Sequence, residues 1–419
     1  MSREMKDSGV EWIGEIPEDW SIGKIDSLYS PRTTKVSDRD YPPLSVSMKG
    51  VVPQLQSTAK TNDHDNRKLV TKGDFAINSR SDRWGACGIS EYDGSVSLIN
   101  TVLKPRHGMN NRYYNWLFHS DMFSSEFYKW GHGIVDDLRT TNWDEMKKMS
   151  IPTPSLPEQE QVANFLDRKC SAIDTAIEKT KESIEKLEEY KKSVITKAVT
   201  KGLDPDAKMK DSGVEWIGEV PEGWEIKQLR MFYSRRANKN KGLLEKNLLS
   251  LSYGNIIRKN IDTKEGLLPE SFEGYNIVEK GDIVIRGTDL QNDHKSLRTG
   301  LVTERGIITS AYMTLMPKND INSEYYHYLL HCYDIEKVFY SMGGGLRQSL
   351  EYWDFIRTPV LEPSKKEQEE IVIYIKDKCS AIDALITKKQ EAISKWEEYK
   401  KSLIYYAVTG KIDCRNEAV

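Results

Sequence analysis

Two hydrophobic patterns alternate along the chain. Over residues 155–201 mostly apolar seam positions step by four and three, with polar residues at Thr180 and Lys191: Leu166, Cys170, Ile173, Ile177, Thr180, Ile184, Leu187, Lys191 and Val194. The same steps return over 364–410 at Ile375, Cys379, Ile382, Ile386, Lys389, Ile393, Trp396, Lys400 and Leu403. This spacing predicts two long helices, each with one heptad seam. Ser155-Leu156-Pro157-Glu158 and Ser364-Lys365-Lys366-Glu367 have the form of capping boxes at their starts. Pro157 falls in the first turn, where its missing N–H does no harm. Gly202 and Gly410 stand where a left-handed residue ends a helix. At 1.5 Å per residue each helix spans roughly 65–70 Å. So long an apolar stripe must be covered, and the nearest equal partner is its own repeat.

Elsewhere the apolar runs are short, alternating and broken by Gly, Pro, Asn and Asp. LSVSMKGVV, FAINSRS and VSLINTVL precede the first helix; LLSLSYGNII, DIVIRG and TSAYMTLM precede the second. They predict strands and hairpins, joined by one short helix over Tyr113–Phe123 and one over Tyr325–Tyr333. The two patterns form one unit that occurs twice. MKDSGVEWIGE stands at Met5–Glu15 and, letter for letter, at Met209–Glu219; KCSAID and EEYKKS at 169–174 and 188–193 recur 209 residues later. VTKGDFAI (70–77) pairs with VEKGDIVI (278–285). If the units are related by a two-fold axis, the helices pack antiparallel. The tail after Gly410 resembles the segment after Gly202 cut short, so the chain is expected to form a nearly closed ring.

Net charge changes this picture only locally. The chain of 419 residues carries 61 Lys/Arg against 64 Asp/Glu, a formal charge of −3, which excludes a polybasic protein. Residues 30–112 hold 13 basic and 8 acidic residues, and 233–312 hold 13 and 10. Each unit thus has a basic middle of the kind that tracks phosphates. In the first, Arg32, Lys35 and Lys49 accompany the run Asn78-Ser79-Arg80-Ser81-Asp82-Arg83-Trp84. In the second, Arg235, Arg236, Tyr253, Asn255, Arg258, Lys259 and Arg298 flank a run from Arg286 to Lys295 that contains Asp289, Gln291, Asn292 and His294. Arg, Asn, Gln and Asp carry the donor and acceptor patterns that match base edges in the major groove. Solvated loops carry the same residue types, so the residues alone leave both readings open.

Other chemistry is weaker. His327 and His331 have the i, i+4 spacing of two metal ligands, but the first unit has Asn115 and His119 there, so the expectation is no metal site. Cys170 and Cys379 are seam positions, and five scattered cysteines without a CxxC read as reduced thiols of a cytoplasmic protein. Gly343-Gly344-Gly345 lacks the following helix start of a phosphate loop. Asp40-Tyr41-Pro42-Pro43 reads as a turn. With no P-loop and no cofactor loop, no catalytic residue is expected. No run of about 18 apolar residues is present to span a bilayer, and the N-terminus has no apolar signal-like core.

The chain resembles the specificity subunits of type I restriction–modification systems. The resemblance is carried by MKDSGVEWIGE-x-PE-x-W opening each half, KGD-x-x-I, RSDRWGACGISEYDGSVS, TDLQNDHKSLRTGLV…GIITSAYM, and Pro-Ser-x-x-Glu-Gln-Glu before each KCSAID…EEYKKS helix. It implies an α+β architecture, pseudo-two-fold and nearly circular. Two globular target recognition domains (1–154 and 202–363) are separated by two long antiparallel coiled-coil spacer helices (155–201 and 364–410), with a tail at 411–419. It implies further a non-catalytic subunit that reads an asymmetric, bipartite site in double-stranded DNA, one half-site per domain. Two methylation subunits and the restriction subunits would dock on it. S-adenosylmethionine, ATP and Mg would belong to those partners, with no cofactor bound by this chain.

Overall fold

The computed structural model describes residues 3–54, 64–133, 139–262, 269, 271–290, 297–342 and 349–415. The heptad patterns form single helices over Leu156–Lys201 and Lys365–Val408. In the second start, Glu367 N–H donates to Ser364 Oγ (3.3 Å) and Ser364 N–H to Glu367 Oε2 (3.3 Å), a reciprocal capping box. Gly202 and Gly410 take φ of +76° and +73°, the left-handed stop.

The chain divides into two compact units, 1–181 with 389–419, and 182–388. Each long helix therefore serves both units, and the reason is burial. In the first unit Leu403, Ile404, Ala407 and Val408, from the end of the second helix, lie in one core with Trp12, Trp20, Tyr113 and Phe123. In the second, Ile195, Ala198 and Val199, from the end of the first helix, lie with Trp224, Tyr325 and Tyr333. Tyr113 Oη donates to Val408 O (2.7 Å), and Tyr325 Oη to Val199 O (3.3 Å).

Within the first unit the helix segments run antiparallel: Lys400 pairs with Asp174 at 2.6 Å, and the Lys181 ammonium feels Glu397. In the second unit the equivalent pair is Lys191–Asp383, at 2.7 Å. Leu166, Ile173, Ile177, Val194, Ile375, Ile382 and Leu403 are buried, while Ile184, Leu187, Ile386 and Ile393 are half-buried. Trp396 departs from its expected place in the seam. It is 41% exposed and lies edge-on to Tyr399 of its own helix, three residues on, so its ring runs along the helix surface.

Each unit builds the same four-stranded sheet. In the first, Cys87–Ile89, Phe75–Asn78, Asn100–Pro105 and Tyr29–Pro31 are neighbours in that order; in the second, Thr299–Leu301, Ile283–Ile285, Met313–Pro317 and Tyr233–Arg235. A hairpin lies over each sheet: Leu44–Ser47 with Gly50–Pro53, and Leu248–Ser252 with Asn255–Lys259. Both hairpins touch the strand that follows the central loop at a glycine. A Cβ on Gly88 would lie 2.7 Å from Gly50 Cα, and one on Gly300 2.6 Å from Leu251 Cδ1. The helix expected over Tyr113–Phe123 is two helices, Asn111–Phe118 and Asp121–Lys129, because Ser120 caps the second by accepting from Phe123 N–H.

The repeated MKDSGVEWIGE-x-PE-x-W segment is scaffold. Trp20 and Trp224 are buried, and their indole N–H groups donate to the carboxylates of Glu158 and Glu367 at the two helix starts, each at 3.1 Å. The chain tail closes on the first copy. Lys411 Nζ donates to Ile13 O (3.0 Å), Cys414 is buried in the same core, and Arg415 holds the Asp413 carboxyl down at about 2.

Candidate nucleic-acid interface

In the first unit the central strand Phe75–Asn78 ends in a turn over Ser81–Arg83 before the chain returns through Cys87–Ile89. Asn78 N–H donates to Ala86 O (2.8 Å), and Ala86 N–H to Arg83 O (3.0 Å), so the loop closes through its own backbone. Tyr128 Oη donates to Arg83 O (2.9 Å), and its ring lies tilted against Trp84, centroids 5.5 Å apart. Asn78, Arg80, Arg83 and Trp84 thereby line one cleft of about 810 Å³ together with the hairpin strand Leu44–Ser47 and Met48. Arg80 is oriented by Asp82 (2.9 Å), while Lys35 and Lys49 are exposed.

In the second unit the equivalent bond runs from Arg286 N–H to Arg298 O (2.8 Å), but the loop it closes is longer. Of that loop, Gln291, Asn292, His294 and Lys295 lie outside the described residues, as do Gly343–Gly345. Arg298 was expected at a DNA surface; the structure buries it completely. Its guanidinium donates to the carbonyls of Arg286 (3.2 Å), Thr288 (2.7 Å) and Asp289 (3.1 Å). It also stacks 5.3 Å from the centre of Tyr340, the residue equivalent to Tyr128, and donates to its hydroxyl (3.2 Å). The turn at Asp289 (φ +60°) is thus pinned by an internal cation.

Two more expected contacts are internal. Arg32 forks onto Asp74 (2.6 and 3.0 Å) and Thr71 (2.9 Å), and Arg236 onto Asp282. The acceptor in each case is the aspartate of the KGD turn, which carries only 3% and 0% of its side chain at the surface. Asp74 faces Arg32 closely enough to hold that guanidinium's pKa up, whereas burial outweighs Arg236 at Asp282 and leaves its carboxyl raised. A desolvated carboxylate needs its partner, and neither arginine is at liberty to leave. Arg235 instead lies exposed over the Tyr352 ring at 5.6 Å. Arg258 is exposed and pairs with Glu304; Lys259, Asn255 and Tyr253 are exposed along the hairpin.

His327 and His331 do share a helix face, their rings 5.8 Å apart. Burial depresses them to about 3 and about 4, and His331 bonds Thr299 Oγ1 (3.2 Å). Among the described residues no third ligand joins them. Sequence reasoning missed Met48 and the pinning tyrosines, Tyr128 and Tyr340. The pair of tyrosines could have been found from their equivalent places in the repeat.

Residues 17–189 match the family model described as the type I restriction modification DNA specificity domain. The type I restriction enzyme MjaVIII specificity subunit of Methanocaldococcus jannaschii is 25% identical over 437 residues, covering 96% of this chain and 95% of that protein. The MjaX specificity subunit of the same organism is 24% identical over 427 residues, with the same coverage. Along nearly its whole length this chain is similar to type I specificity subunits. Its fold agrees with a chain solved in work on complex assembly and conformational transition of the type I R-M system (TM-score 0.69, 13% identity, 95% of this chain and 99% of that one). The HsdS subunit from Thermoanaerobacter tengcongensis aligns with a TM-score of 0.53 at 14% identity, over 95% and 98%. No helix among the described residues is long and apolar enough to cross a membrane.

Proposed function

We propose that this subunit reads an asymmetric, bipartite site in double-stranded DNA, with one half-site for each unit and a gap set by the length of the helices. One observation carries the reading. The two units agree at their scaffold bonds, Trp20–Glu158 with Trp224–Glu367 and Arg32–Asp74 with Arg236–Asp282, and diverge at the hairpin tips and central loops. Agreement at the scaffold suits one kind of partner bound twice. Divergence at the loops suits two different ligand sequences.

Two methylation subunits would dock on the repeated scaffold, and restriction subunits would join them. S-adenosylmethionine, ATP and Mg would be held by those partners, and this chain would contribute no catalytic group. Sequencing the methylated motif in a host that expresses this chain with its methylation subunit tests the reading. A split motif with two unlike halves is expected. An unsplit or palindromic motif would refute it.

A further inference from the structure

The most exposed apolar side chain of each hairpin stands at the same place in the repeat. Met48 is 74% exposed and Tyr253 83% exposed. The turns that carry them are closed by the pairs Ser47–Gly50 and Ser252–Asn255. Neither side chain earns its place by packing.

Tyr253 is also costly in its backbone. It takes φ +46° and Gly254 takes +79°, the pattern of a two-residue turn that favours Asn, Asp or Gly at the first position. A bulky residue with positive φ is an outlier, and such outliers gather at functional sites. The turn cannot shift to relieve it. A Cβ on Gly254 would lie 3.1 Å from His331 Cε1 and 3.2 Å from Leu297 Cδ1. The tip is therefore seated on the helix Ser323–Ile335 and on the residue that precedes Arg298, with Tyr253 held outward. In the first unit Met48 lines the same cleft as Asn78, Arg80 and Trp84. Met48 thus stands beside the polar loop of the first unit, and the Tyr253 turn beside Leu297 at the end of the loop in the second.

Building on the DNA-reading function above, we infer that Met48 and Tyr253 are specificity-determining residues. Each enters a groove of its own half-site and makes an apolar contact with base edges. A two-stranded ribbon fits the major groove, about 12 Å wide, where the thymine methyl is the one apolar mark on the base edges. Polar loop side chains read donors and acceptors; an apolar tip supplies the remaining distinction.

The test uses the full chain assembled with its methylation subunits. Binding is measured to DNA carrying the native site, to DNA altered in the first half-site, and to DNA altered in the second. Tyr253→Ala should weaken native-site binding about tenfold. It should also shrink discrimination at the half-site read by residues 202–363 and leave the other half unchanged, while Tyr253→Phe retains both. Met48→Ala should do the same for the other half-site alone. Tyr253→Gly relieves the backbone, so it should raise thermal stability while lowering discrimination, a combination that a structural role for the tyrosine would not produce. Folded Met48→Ala and Tyr253→Ala variants with full discrimination at both halves, or with equal loss at both, would overturn the assignment. A wild-type complex that distinguishes neither half-site would instead overturn the DNA-reading function itself.

Discussion

Arg32 and Arg236 are basic, lie in the basic middles of the two units, and still have no free charge to offer a phosphate. Each is bound to a buried aspartate. Removing one partner of such a pair leaves an uncompensated buried charge, at a cost of roughly 3–5 kcal/mol. Arg236→Ala should therefore lower the unfolding midpoint in urea sharply. Arg80→Ala, at a half-exposed guanidinium whose partner is a neighbouring loop aspartate, should leave that midpoint nearly unchanged and weaken DNA binding instead. Measuring both quantities on both variants checks the division, which fails if the two effects are exchanged. Arg298 falls between these classes. Lysine cannot fork onto three carbonyls, so Arg298→Lys should loosen discrimination at the half-site read by residues 202–363, as seen in competition binding, and leave the other half unaffected.

The histidines of the second unit give a residue-scale dependence on pH. His327 and His331 are depressed to about 3 and about 4, burial being the main cause, with His331 acting on His327 and Lys191 on His331. The unfolded chain takes up these protons near pH 6.5 and the folded unit does not. Their stability contribution is whole above that pH and is lost as pH falls toward 4, at up to about 1.4 kcal/mol per pH unit for each group. Asp334, raised to about 6 by burial, acts in the opposite sense and offsets part of this slope. Thermal melts between pH 7 and 5 should show the loss, and His331→Gln should flatten it. A flat profile in the wild type would show that these rings are not buried as described.

At the scale of elements, the long helices belong to the cores as much as to each other. The end of the second helix supplies Leu403, Ile404 and Val408 to the first unit. Leu403→Ala, like other buried leucine truncations, should cost about 2–5 kcal/mol. Limited proteolysis should register that loss in segment 3–181, although the substitution is more than two hundred residues away in sequence. Cleavage confined to the helix itself would contradict this account.

For the whole molecule, the proposed reading of one half-site per unit makes the two specificities separable. Exchanging residues 30–150 for the corresponding segment of another specificity subunit should change one half of the methylated motif and leave the other intact. Removing one heptad from both helices should shorten the gap by roughly 10 Å, or about 3 bp. Both outcomes are read from methylated-motif sequencing. Simultaneous change of both halves in the exchange, or an unchanged gap in the deletion, would refute the corresponding part of the proposal.

The duplication, the helix pair with its glycine stops, and the strand-rich middles were legible in the sequence alone. Periodicity and local chain chemistry act over a few residues, and a repeat is visible by inspection. Which arginine faces outward was not legible. Arg32, Arg80 and Arg298 are alike as letters, and only burial against Asp74, exposure beside Asp82 or enclosure under Tyr340 tells them apart. The apolar tip Met48 was hidden for a related reason. Met48 looks like one more strand residue until the turn lifts it from the sheet, because exposure belongs to the packed fold and not to the residue.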